Sequence, residues 1–140
     1  MTPHHHSVEK KTGYKRVWFW DAIFRSNVDV VAGVSTGEQI SEWLKTNRGI
    51  DYPAGSSDFH GRTITVDGGL NVFIFLRTSD LACPEFHATL AHEAFHASHM
   101  ILSLRGQGNH ADDGEECHAY VLGWIVRETV EGLKKLRKRK

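Results

Sequence analysis

The period of apolar positions changes several times along this chain, and each change marks an expected element. Residues 1–13 are polar without periodicity, which predicts a disordered N-terminal tail. Arg16 to Phe24 is aromatic and apolar (Val17, Trp18, Phe19, Trp20, Ile23, Phe24); this reads as a strand or a short amphipathic segment, and periodicity alone does not choose. Val28 to Val34 is β-branched and reads as a strand. Ser35-Thr36-Gly37-Glu38 fits a capping box, serine with glutamate three residues on. It predicts a helix over 36–47 with Ile40, Trp43 and Leu44 inward and Gly49 past its end.

Residues 52–61 read as a loop, and Arg62 to Val66 alternates as a strand. Asp67-Gly68-Gly69 suits a hairpin turn, because glycine tolerates the positive φ such turns require. Asn71 to Arg77 is the return strand. A long helix is expected from Pro84 to about Arg105, with proline in its first turn and Gly106 at its end. Residues 106–113 form a polar loop, and a last helix runs from about Gly114 to Leu136. There is no internal repeat and no linker.

These elements amount to one α+β domain over 14–133, flanked by the 1–13 tail and a basic tail over 134–140. The chain has 140 residues, enough for one core. It lacks both an apolar run of membrane-spanning length and an N-terminal secretion signal. The expectation is a cytoplasmic protein with no membrane partner. Net charge is zero, but the last seven residues carry six cations. That run suits a helix C-terminus; with no aromatic residue interleaved, nucleic acid is not the expected partner. Cys83 and Cys117 are read as free thiols.

Chemistry enters with His92-Glu93-Ala94-Phe95-His96. Histidines four apart on a helix lie on one face, one turn apart, where both imidazoles reach one zinc ion. Glu93, beside the first of them, is placed to act as general base on a metal-activated water. The motif alone decides little in a chain with ten histidines. Its context strengthens it: Leu90, Ala94, Ala97, Ile101 and Leu104 form an apolar stripe on nearly the opposite side. The competing reading is two core histidines with internal partners.

A catalytic zinc takes three protein ligands. His99 lies at i+7 from His92, about 10.5 Å along the axis and too far to share the ion. Leu102 stands where a metzincin would place its third histidine. Asp112, Asp113, Glu115 and Glu116 start the last helix. Helical phase ranks Glu116 first, with Tyr120, Gly123 and Arg127 on its face, then Asp113 and Glu115. Gly123 suggests close approach of two helix backbones there. His118, about 200° around from Glu116, is expected to point elsewhere.

The His92–His96 motif followed by Glu115-Glu116-Cys117-His118-Ala119-Tyr120 resembles the small zinc metallopeptidases of tailed bacteriophages and prophages. The likeness extends to Val17-Trp18-Phe19-Trp20, to Thr65-Val66-Asp67-Gly68-Gly69 and to Arg105-Gly106, and so covers most of residues 14–128. More loosely the plan is similar to gluzincins. The resemblance implies a minimal zincin-like fold: a small twisted sheet packed on the motif helix, with two further helices. It also implies a Zn2+ site of His92, His96 and Glu116, a peptide or protein substrate, and the cytoplasm of a bacterial host if the gene is phage-borne. Among candidates for the oxyanion-side donor, His110 is preferred to Tyr120. Asn71–Arg77 is expected to offer a free edge to an extended peptide. The rival classes are a zinc-binding scaffold without turnover and, further behind, a nucleic-acid or partner-binding module using the basic tail with Trp18 and Trp20.

Overall fold

In the computed structural model, residues 6–11, 13–21, 24–53, 55–66, 70–103 and 113–138 are described. The strands are β1 (His6–Lys11), β2 (Tyr14–Asp21), β3 (Ser26–Ala32), β4 (Gly61–Val66) and β5 (Asn71–Leu76); the helices are α1 (Gly37–Arg48), α2 (Pro84–Ser103) and α3 (Asp113–Lys138). The fold is α+β, with the strands in one mixed sheet ordered β1-β2-β3-β5-β4. Of the four strand pairs, β3–β5 is parallel and the others are antiparallel.

Strand alternation assigns one core to each face of the sheet. Val17 and Phe19 of β2, Val28 and Val30 of β3, and Val72, Ile74 and Leu76 of β5 meet α2 and α3. Val31, Ile64, Phe73 and Phe75 meet Ile40, Trp43 and Leu44 of α1 on the other face. Because β5 is covered on both sides, all its residues from Val72 to Leu76 are buried. α2 lies over β4 and β5, α3 over β1 and β2, and the two helices pack on each other. Among the described residues no helix is long and apolar enough to cross a membrane.

The ambiguous aromatic segment is thus a strand as far as Asp21. Four expectations change. First, residues 6–11 belong to a strand rather than a disordered tail, paired in register with β2 from His6↔Phe19 to Lys11↔Tyr14. An edge strand is held by backbone hydrogen bonds and needs no apolar period, and lysine is common there. Second, the capping box is Thr36 with Gln39, one residue later than Ser35 with Glu38: Gln39 N–H donates to Thr36 Oγ1, and Thr36 N–H donates to Gln39 Oε1. The Ser35 carbonyl is instead engaged by Phe59 N–H. Gly49 closes α1 in the left-handed conformation, as expected. Third, β5 has no free edge, because β3 and β4 flank it. The edge strand beside α2 is β4, which has no second strand neighbour among the described residues. Fourth, α3 continues through Lys138, with Leu133 and Leu136 buried, so the start of the basic run belongs to the helix. The 67–69 turn and the 106–112 loop lie outside the described residues, as do residues 1–5.

Candidate active site

α2 turns the stripe Phe86, Leu90, Ala94, Ala97 and Ile101 into the core. That phase leaves His92 and His96 exposed on the outer face. Their Nε2 atoms are 3.2 Å apart, with ring centroids at 4.8 Å. Two nitrogens bound to one tetrahedral zinc at ordinary bond lengths stand about 3.3 Å apart, so the spacing of the pair matches that of two ligands to one ion.

Glu93, one residue on, turns inward and is only 6% exposed. Thr63 of β4 holds it: the threonine Oγ1 lies 2.7 Å from Glu93 Oε1 and 3.1 Å from its main-chain carbonyl oxygen. Glu93 Oε2 is 3.8 Å from His92 Nε2. Among the described residues no lysine or arginine pairs with this carboxylate. The close approach of β4 to α2 depends on Gly61. A Cβ there would sit 2.5 Å from Thr89 Cγ2 and 2.8 Å from Glu93 Cγ. The result is an open cleft of about 360 Å³ bounded by His60, Gly61, Ala88, Thr89, His92 and Glu93.

His60 is a site residue that no sequence motif marks. It stands at the mouth of this cleft with Nδ1 3.2 Å from Glu85 Oε1. A carboxylate on one imidazole nitrogen orients the ring and leaves the other free for a substrate or ligand. The two residues are 25 positions apart, so only the fold reveals the pair.

α3 meets this face differently from the expectation. Val121, Trp124 and Ile125 are buried, and that phase brings His118 onto α2. Ser98 Oγ is 3.3 Å from both His118 ring nitrogens, and the His118 ring centroid lies 4.8 Å from Phe95 and 5.9 Å from His99. Burial, and then the neighbouring His99, hold His118 below the ordinary imidazole range. His118 thus points elsewhere than Glu116, as expected: it packs on α2 while Glu116 is exposed. The close approach expected at Gly123 is overturned, since the residue is exposed and a Cβ added there would meet nothing within 4 Å.

Glu115 and Glu116 are exposed, as is Tyr120 at 47%. Among the described residues no three His, Cys, Asp or Glu side chains gather as metal ligands. The structure thus brings together His92, His96 and Glu93, and does not bring Glu116 to them. His110 and Asp112 lie outside the described residues; Asp113 begins α3. Cys83 and Cys117 are both free thiols, half-buried. Comparison of the chain with models of known families, with curated proteins and with solved structures finds no match.

Proposed function

We propose that this domain is a zinc-dependent metallopeptidase of zincin-like design. The observation that carries the reading is the pairing of the His92 and His96 Nε2 atoms at 3.2 Å beside the buried Glu93 carboxylate, with His92 and Glu93 lining one cleft. His92 and His96 would hold the ion. Glu116 is the third candidate, on the strength of the sequence resemblance, at the start of α3. Zinc supplies Lewis acidity, which lowers the pKa of water and polarises a carbonyl.

The chain's own groups do the rest. Glu93 accepts a proton at Oε2, the oxygen nearer His92, and returns it to the leaving amine. Thr63 fixes the other carboxylate oxygen, so the base does not swing away. The edge strand β4 borders the cleft, and its outer side, unpaired among the described residues, suits main-chain pairing with an extended peptide. That is the strand-addition role expected of Asn71–Arg77, now carried by β4.

The first experiment is metal content of freshly purified protein beside His92→Ala and Glu116→Ala. The expected result is about one zinc per chain, lost in His92→Ala and at least about tenfold weaker in Glu116→Ala. Zinc retained in His92→Ala would sink the site. Zinc unaffected in Glu116→Ala would remove Glu116 alone. A zinc-loaded protein that leaves a proteome uncleaved would favour the scaffold without turnover.

A further inference from the structure

A second cleft lies far along α3 from the motif, where the 78–81 turn meets β2 and the last turns of the helix. It encloses about 300 Å³. Lys15 reaches it from β2 and Arg137 from α3, with Thr78 and Ser79 on the turn between them. Lys15 belongs to the β2 face that carries Val17 and Phe19 toward α3. The turn is well fixed. Asp80 N–H donates to Thr78 Oγ1, Ala82 N–H to Asp80 Oδ1 and Cys83 N–H to the Asp80 carbonyl, while His87 Nε2 lies 2.7 Å from the Leu81 carbonyl oxygen.

Three polar groups in this cleft have no partner among the described residues: the Lys15 ammonium, the Arg137 guanidinium and the Ser79 hydroxyl. The Thr78 hydroxyl accepts a bond but still has its proton to donate. Asp80 is the one anion among the described lining residues, and one of its oxygens is committed to Ala82 N–H. Two cations against one carboxylate leave the cleft net positive. Leu81 and Leu133 add apolar wall.

We infer that this cleft binds the phosphate group of a small organic phosphate. A phosphate answers the excess of cationic over anionic groups in the cleft. Its oxygens outnumber those of a carboxylate and suit a guanidinium fork, an ammonium and two hydroxyl donors that line the cleft from three elements. The volume exceeds what inorganic phosphate fills, so the leucine wall contacts the organic part. Nothing in this site depends on zinc or on Glu93.

The test is calorimetric titration of the full-length chain, in chelator and at low ionic strength, with inorganic phosphate, adenosine 5′-monophosphate and adenosine. Both phosphates should bind saturably at one site per chain, the nucleotide more tightly, and adenosine should not bind. Arg137→Gln and Lys15→Gln should each weaken binding about tenfold, with unchanged circular dichroism. Arg137 is exposed, so its variant keeps the test valid even if Lys15→Gln unfolds. Phosphate binding no tighter than chloride, or adenosine binding as well as its phosphate, overturns the inference. So does binding undiminished in Arg137→Gln. A single-stranded oligonucleotide that binds equally in both variants and is lost only in Lys134→Gln/Lys135→Gln would place phosphate recognition on the helix surface and also overturn it.

Discussion

Two buried carboxylates, Asp29 on one face of the sheet and Glu93 on the other, are treated in opposite ways. On the α1 face Asp29 is fully buried and is gripped by Arg16 and Arg48, Arg16 Nη2 standing 2.6 Å from its Oδ1. The guanidiniums also lie over aromatic rings, Arg16 over Trp43 and Arg48 over Phe73. This carboxylate ties β2, β3 and α1 together, with both of its oxygens engaged by guanidinium groups. On the α2 face Glu93 is nearly as buried, yet its strong partner is a neutral hydroxyl, with an imidazole 3.8 Å from the other oxygen. Burying a charge without a cation is costly. Under the proposed function, that cost falls beside the His92–His96 pair, where proton transfer would need a base.

That contrast breaks most visibly at Glu93. Glu93→Gln keeps the side-chain shape and an oxygen for Thr63 to donate to, so the fold and the His92–His96 pair should survive. Peptide hydrolysis should fall by about 10²–10⁴, the range general-base removal typically costs. Zinc content should be unchanged. The check is a peptidase assay alongside metal analysis, and activity at the wild-type level would strip Glu93 of its role.

A smaller effect is expected at the contact that brings β4 to the base. Gly61→Ala forces a methyl against Thr89 Cγ2 and Glu93 Cγ. Thr89 is β-branched and stiff, so it yields poorly. Overpacking of this kind costs about 1–3 kcal/mol. Urea unfolding should show that loss, and turnover per folded, zinc-loaded molecule should fall as Glu93 is displaced. Stability and turnover both unchanged would mean the strand does not brace the base.

Much of this is legible in the sequence, for reasons that differ by element. The α2 stripe of Leu90, Ala94, Ala97 and Ile101 sets its phase, and that phase puts His92 and His96 outside. β1 leaves no apolar signature because HSVEKK pairs through its backbone. Ser35 and Thr36 compete as caps because two overlapping boxes differ by one residue, and a contact from Phe59 decides between them. The α3 phase follows Val121, Trp124 and Ile125, whose burial sets the helix rotation. Gly123 is a misleading guide to it, since a glycine buries too little to turn a helix. Thr63–Glu93 and His60–Glu85 join residues 30 and 25 positions apart. No local spacing encodes such pairs; sheet order does.

The smallest effect concerns Asp29 and asks which force dominates there. Burial pushes its carboxyl above the ordinary value of 3.8, while Arg16 and then Arg48 pull it back. With burial ahead, the folded protein holds this proton to higher pH than the unfolded chain does. Between 3.8 and the raised folded value the native state therefore binds more protons, and stability from this group declines as pH rises. Above the folded value the contribution is flat. Asp29→Asn removes the titration but keeps the shape, so the difference in unfolding free energy between wild type and variant isolates it from other carboxylates. That difference should fall through the window above 3.8 and then level off. A difference that instead rose with pH would show the two guanidiniums outweighing burial. Asp29 would then be an ion pair that stabilises the α1 face outright, and the cost of leaving Glu93 without a cation would stand out more sharply.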